Sequence, residues 1–190
     1  ESYFLNPTDR NWNHYLSLIN NEYQGQTHLE NVISYYNRGF NNDAKNLFVR
    51  LNNSITLDPI SQIWLAYITQ DSQMLKNIKD ISADYAHPFR RETIQALEWA
   101  VNNTPEWKLR YYLGLNYWAK DRNEEAMALF NSLENTPDSM PFYISRAKLN
   151  DTYGKKGQTE KDLERAISYA QDSWIAYLYA VQYYQENKMW

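Results

Sequence analysis

The chain has 190 residues, of which 43% are hydrophobic and 16% aromatic, so it is long enough to bury a substantial core. Its formal net charge of −4 gives no electrostatic footprint for nucleic acid, and no apolar run approaches the ~20 residues that span a membrane, so we expect neither a nucleic-acid partner nor membrane insertion. The absence of Cys excludes disulfides, thiolate metal ligands and a Cys nucleophile.

Apolar side chains recur at helical spacing along most of the chain, and no segment alternates convincingly as a β-strand. Only 5 Gly and 6 Pro are present, and most of them lie where helices should begin or end. These patterns predict an all-α protein of about eleven helices. We predict one domain over residues 1–190, with repeats at about 25–58, 59–86, 104–138 and 139–171, an extra helix at about 88–101 and a terminal helix at about 173–187.

Capping signals mark the helices of the first quarter of the chain. A capped segment with helical apolar spacing predicts a first helix at about 8–20. The motif Thr27-x-x-Glu30 is a capping box that opens the next helix. Gly39 is suited to the residue that follows its end, and another helix is expected from about Asn42 to Leu51.

Similar signals continue through the rest of the chain. Asp58-Pro59 places an N-cap residue before a proline at the first helical position. A short helix is predicted at about 72–83. Thr159-x-x-Asp162 resembles a capping box with the shorter acid, so a helix is expected to begin there.

The C-terminal segment carries a last predicted helix, which begins near Ser173 and contains Trp174, Leu178 and Val181. Aromatic side chains at helical spacing usually pack in the core. Core positions are therefore predicted for Trp12, Trp99, Tyr117 and Phe130.

The most specific pattern lies in the middle of the chain, where two antiparallel helices are predicted around a polar turn. Leu113, Gly114 and Tyr117 lie on one face of the first helix, and Ala126 and Phe130 face them from the second. Gly114 and Ala126 allow the two helices to approach closely. This arrangement reproduces the L-G-x2-Y…A-x3-F pattern, so the stretch resembles a tetratricopeptide repeat.

Two weaker copies support this resemblance. It implies a right-handed α–α superhelix of about five helix pairs, in which the first helix of each pair lines a concave wall. The weaker copies are carried by Tyr35, Gly39, Ala44 and Phe48, and by Leu149 and Tyr153.

A second resemblance covers residues 87–130. This segment is similar to the C-terminal repeat region of bacterial proteins whose preceding domain, of uncharacterised function, resembles carbohydrate-active β-sandwiches. The resemblance implies that the chain is one part of a longer protein. It rests on His87–Phe89, Glu98–Trp99 and Trp107–Trp118.

Residues that carry catalytic or metal chemistry are sparse. His14, His28 and His87 are far apart, and none has a second ligand at helical spacing, which argues against zinc. No nucleophile elbow, P-loop or dinucleotide-binding motif occurs. Glu124 and Glu125 begin a predicted helix, where acidic side chains favour the positive end of the dipole. We therefore predict a protein that is not an enzyme and needs no cofactor or metal.

The surplus of aromatic residues suggests binding instead. Tyr and Trp on a concave wall suit a protein or peptide partner, or a neighbouring domain of the same chain. The Lys/Asn/Arg set with which some tetratricopeptide domains hold a C-terminal carboxylate is missing, because its places hold residues such as Leu29, Ile33, Tyr111 and Leu115. The predicted groove residues are Tyr36, Trp64, Tyr67, Lys108, Tyr111 and Trp118.

Two alternatives stay open at this point. The first is a carbohydrate-binding or carbohydrate-active accessory region, with Glu98, Glu106 and Glu124 as candidate acids. The second is a structural element for dimerisation. The sequence leaves the oligomeric state undetermined.

Overall fold

The computed structural model describes residues 24–52, 57–84, 86–171 and 173–188, and the helix predicted at 8–20 lies outside them. The described residues form α-helices and one 3₁₀ helix, without a strand among them, which confirms the all-α prediction. The α-helices are α1 (Gln24–Asn37), α2 (Asn41–Asn52), α3 (Pro59–Thr69), α4 (Thr93–Asn103), α5 (Trp107–Trp118), α6 (Asn123–Ser132), α7 (Met140–Thr152), α8 (Lys156–Ser168) and α9 (Ile175–Glu186), and the 3₁₀ helix is Ser72–Asp80.

The chain divides into two compact units, with the boundary between Ile78 and Lys79. The first unit contains α1 to α3, and the second contains α4 to α9. Within each unit, helices that follow one another in sequence pack together, and α5 with α6 and α7 with α8 form the closest pairs of the second unit. The single repeat domain over residues 1–190 stays a prediction.

In the first unit, α1 starts at Gln24, before the capping box that was expected to open it. Its end follows the prediction, because Gly39 adopts a left-handed φ of 83°, which costs glycine little. The N-cap prediction for α3 is also confirmed. Asp58 Oδ1 accepts hydrogen bonds from the backbone N–H of Ile60 at 2.9 Å and of Ser61 at 3.1 Å, with Pro59 at the first helical position.

The short helix predicted at 72–83 is a 3₁₀ helix that ends at Asp80. Its two fully buried residues, Leu75 and Ile78, are three positions apart. Because a 3₁₀ helix has three residues per turn, this spacing places both side chains on one face.

His28 on α1 is fully buried, and this burial lowers its pKa from 6.5 to about 4. Between these two values the unfolded chain binds a proton that the folded chain excludes. Stability is therefore expected to fall as the pH is lowered from about 6.5 towards 4. Urea unfolding at pH 7 and pH 5 tests this, because His28→Leu should lose less stability across that interval than the wild type. An equal loss in both proteins would contradict the assignment.

In the second unit, Gly114 of α5 lies against Phe130 of α6. A Cβ atom at Gly114 would stand 2.9 Å from Cδ1 of the Phe130 ring and closer still to Cε1. Ala126 and Phe130 are fully buried, and Tyr117 is nearly so. The predicted close approach of the central helix pair is thus confirmed, with the Phe130 ring seated over the glycine.

The start predicted for α8 is wrong. The helix begins at Lys156, so Thr159 and Asp162 lie inside it rather than at its first turn. Asp162 is buried and receives hydrogen bonds from Arg146 and Asn150 of α7. The Asp162 carboxylate therefore links α8 to α7, although its spacing from Thr159 is that of a capping box.

The terminal helix α9 buries a face different from the one that its large apolar residues suggest. Ala176, Ala180 and Tyr183 are buried, at the spacing of one helical face. The small alanines allow α9 to pack against α7 and α8. By contrast, Trp174 is 68% exposed, and Val181 is exposed as well. Among the predicted core aromatics, Phe130 and Tyr117 are confirmed, Trp99 is half-buried and Trp12 lies outside the described residues.

Candidate functional site

A groove of about 920 Å³ lies in the second unit. Its lining comes from α5, α7 and α9, together with the chain segments that lead into α4, α7 and α9. Neither α6 nor α8 contributes a lining residue. The groove therefore lies on the side of the unit formed by alternate helices, with α6 and α8 behind them.

Aromatic rings form one side of this groove. Trp107 and Tyr111, one turn apart on α5, have ring centroids 6.2 Å apart, and Tyr111 meets Phe142 of α7 edge to face at 5.6 Å. Tyr111 is only 1% exposed, and its hydroxyl lies 3.3 Å from the Ser145 hydroxyl. Burial raises the pKa of Tyr111 to about 12, with Asp84 adding to the rise, so this hydroxyl stays protonated.

Lys108 is a buried residue that stabilises one wall of the groove through hydrogen bonds. Its side chain is buried, and Nζ donates hydrogen bonds to the carbonyl oxygens of Lys79 at 2.5 Å and Ile81 at 2.6 Å. These contacts hold the segment that leads into α4 against α5. The ammonium group of Lys108 therefore supports the wall of the groove.

The opposite side of the groove carries accessible charge and aromatic surface. Lys148 of α7 is exposed, and its Nζ lies 3.7 Å from the ring centroid of Tyr179 on α9. Tyr169 is 42% exposed and stacks on Tyr143 at 5.7 Å with an interplanar angle of 2°. Acidic side chains complete the lining at Asp80, Asp84 and Asp138.

The structure distributes the six predicted groove residues over three places. Lys108 and Tyr111 line the groove of the second unit. Trp118 lines a smaller cleft of about 380 Å³ in that unit, where Phe89 is 51% exposed. The other three residues lie together in the first unit, and they are Tyr36, Trp64 and Tyr67.

The three aromatic residues of the first unit form an edge-to-face cluster. Trp64 is fully buried, and its ring centroid lies 5.7 Å from that of Tyr36 and 5.8 Å from that of Tyr67. The Tyr36 hydroxyl donates to the Tyr67 hydroxyl at 3.2 Å. Burial raises the pKa of Tyr67 to about 12, and the hydrogen bond with Tyr36 contributes to the rise. The cluster packs α1 against α3, and Trp64 presents no surface to a partner.

Several accessible or partly accessible groove residues were not predicted, among them Trp107, Lys148, Tyr169 and Tyr179. Trp107 precedes Tyr111 by one helical turn, and this spacing was a usable signal. Lys148 carried no signal beyond its place on α7. The positions of Tyr169 and Tyr179 in the groove depend on where α8 ends and on which face of α9 is buried. The local apolar pattern predicted neither feature.

The candidate acids of the carbohydrate alternative lie apart from the groove. The Glu98 carboxylate accepts a hydrogen bond from the Tyr117 hydroxyl at 2.7 Å. Glu124 is exposed in the first turn of α6, and Glu106 precedes α5. None of the three lines the groove or the cleft beside Trp118.

Metal-binding clusters and membrane-spanning helices are absent from the part of the chain that the structure describes. There, no three His, Asp or Glu side chains converge as a metal site would require. His28 is buried in the first unit, His87 lies where the groove and the smaller cleft meet, and His14 is outside the described residues. Over the same residues, no helix has the length and apolar character needed to cross a membrane. Comparisons with protein-family models, curated proteins and solved structures found no match to this chain.

Proposed function

We propose that the chain is a non-enzymatic interaction module that holds an extended peptide segment in the groove of its second unit. The segment belongs to a protein partner or to a neighbouring domain of the same polypeptide. The observation that carries this proposal is the lining of the groove, which comes from three alternate helices, α5, α7 and α9. Stacked helix pairs use such a wall for binding.

The spacing of these helices supports a tetratricopeptide-like arrangement for the second unit. They begin at Trp107, Met140 and Ile175, about one 34-residue repeat apart. Each of the first two packs closely on the helix that follows it. We propose on this basis that the pairs continue one another as turns of a right-handed superhelix, with the groove on its concave side.

The dimensions and chemistry of the groove suit a peptide. Three helices side by side span about 20 Å, which matches about six residues of extended chain. Tyr179 and Tyr169 offer aromatic surface with a polar end, which is enriched at protein interfaces. Lys148 and Asp138 provide charged groups of both signs, which can bind the carbonyl and N–H groups of a peptide backbone.

Selection of peptides from a random library displayed on phage tests the proposal. A selected peptide should bind the purified chain, and Tyr179→Ala should weaken its affinity by about tenfold or more, as expected for an interface tyrosine. Tyr177→Ala is the matched control, because Tyr177 lies on the same helix, is exposed and does not line the groove. Thermal melts should show that both variants are folded. The proposal would be contradicted if both variants lost affinity equally, or if no peptide were selected.

A second candidate function is carbohydrate binding at the cleft beside Trp118. One observation favours it, since Phe89 and Trp118 expose aromatic surface in the same cleft next to His87. A sugar ring stacks on such a surface through its apolar face. Titration with neutral oligosaccharides, followed by tryptophan fluorescence, should then give a change that Phe89→Ala abolishes. An unchanged spectrum would remove this candidate.

A further inference from the structure

A second cavity of the same unit is about 510 Å³ in volume, and the described residues that line it all carry amide or charged side chains. It lies where the end of α6 meets α7 and α8, on residues that do not line the groove. Asn131, Asn135 and Gln158 supply exposed amides at this cavity. Such a lining favours a polar ligand over a peptide side chain of apolar character.

The floor of the cavity is a buried pair whose charges balance. Arg146 Nη2 donates to Asp162 Oδ1 at 2.6 Å, and Arg146 Nε lies 3.0 Å from Oδ2. Asn150 Nδ2 also donates to Oδ2, at 3.0 Å. Among the described residues, Asp162 is the only carboxylate that lines the cavity, and the arginine beside it already neutralises its charge.

Two further cations line the cavity, and no described carboxylate lies within ion-pair distance of either. Lys161 and Arg165 are one turn apart on α8, and Lys161 is exposed. Arg165 Nη1 donates to the Tyr143 hydroxyl at 3.3 Å, which orients the guanidinium group without neutralising it. The lining therefore has an excess of two positive charges beside three amides.

We propose that this cavity binds a small anionic ligand whose carboxylate or phosphate group is flanked by hydroxyl groups. The acidic group lies between Lys161 and Arg165, because both present donors and carry uncompensated charge. The amides of Asn131, Asn135 and Gln158 each offer a donor and an acceptor, which matches neighbouring hydroxyls. The volume lies within the range of small-molecule sites, and it is larger than a bare ion needs.

Calorimetric titration of the full chain with glucuronate, glucose 6-phosphate, inorganic phosphate and glucose tests the proposal. We expect one or both acidic sugars to bind and glucose not to bind, and the two acidic sugars distinguish a carboxylate from a phosphate ligand. Lys161→Met and Arg165→Met should each weaken binding by about tenfold or more, since each removes a charged hydrogen bond. Lys156→Met is the matched control on the same helix, because Lys156 is exposed and does not line the cavity.

The exposed position of Lys161 keeps its variant informative even where Arg165→Met unfolds the chain. Binding that weakens on raising the salt concentration, and that Lys156→Met leaves unchanged, supports the site. The proposal is overturned when neither acidic sugar binds, when glucose binds equally well, or when Lys161→Met retains full affinity. Equal affinities for inorganic phosphate and for glucose 6-phosphate would overturn the role given to the hydroxyl groups.

Discussion

Replacement of Asp162 by alanine is expected to lower the free energy of unfolding by about 3–5 kcal/mol, the range for breaking a buried ion pair from one side. Arg146 is buried, and three of its hydrogen bonds to Asp162 are between 2.6 and 3.1 Å long. Without the carboxylate, its charge stays in the interior, where the described hydrogen-bond partners that remain are backbone carbonyl oxygens. Urea unfolding followed by circular dichroism measures the effect.

Arg146 also contacts the end of α6. A double variant that removes both charges therefore distinguishes the loss of the ion pair from the loss of these contacts. Arg146 Nη1 donates to the carbonyl oxygen of Glu134 at 2.5 Å and contacts that of Phe130 at 3.4 Å. The double variant Arg146→Met plus Asp162→Leu should therefore recover part of the lost stability, but not all of it, because the carbonyl contacts are gone.

An exposed ion pair in the same unit provides the control for charge removal. Arg122 pairs with Glu125 at the start of α6, and both side chains are accessible to solvent. Exposed ion pairs contribute little to the free energy of unfolding, because water screens the attraction between their charges. Glu125→Ala should therefore leave the unfolding midpoint nearly unchanged. A loss as large as that of Asp162→Ala, or an Asp162→Ala variant as stable as the wild type, would contradict the buried-pair account.

Substitution of Gly114 by leucine is expected to destabilise the chain by at least the ~1–3 kcal/mol typical of overpacking. The first carbon of any side chain at this position meets the ring of Phe130. That ring cannot move aside, because it is fully buried and packs against the rings of Tyr111 and Phe142, each with its centroid 5.9 Å away. The helix pair must therefore separate to admit the larger residue.

Gly157 of α8 is the matched control for this substitution. It is also a helical glycine, but a Cβ atom there would meet no atom within 4 Å. Gly157→Leu should be neutral or slightly stabilising, since leucine favours the helix more than glycine does. Thermal melts of the two variants distinguish the effects. Similar melting temperatures for Gly114→Leu and wild type would show that α5 and α6 do not approach as described.

Features of the fold that depend on neighbouring residues in sequence could be predicted. The N-cap at Asp58, the left-handed turn at Gly39 and the close approach at Gly114 each follow from local chemistry or from one helix pair. Asp162 failed as a predicted cap because its partner Arg146 lies on another helix. The buried face of α9 failed for a similar reason, since contact with α7 and α8 selects its alanines over Trp174.

The candidate site was predicted in part. Tyr111 and Trp118 are seven residues apart, so they share a face of α5. They lie about 10 Å apart along its axis, however, and the groove covers only the end with Tyr111. Helical periodicity gives the angle of a side chain about its helix, but not which stretch of the helix a cavity reaches.

Hydrogen–deuterium exchange of the chain with and without a selected peptide tests the central proposal most directly. Backbone amides of α5, α7 and α9, and of the segments that lead into α4, α7 and α9, should exchange more slowly in the complex. Those of α6 and α8, behind the groove, should change little. Protection confined to α6 and α8, or to the first unit, would show that the peptide binds elsewhere and would contradict the proposed role of the groove.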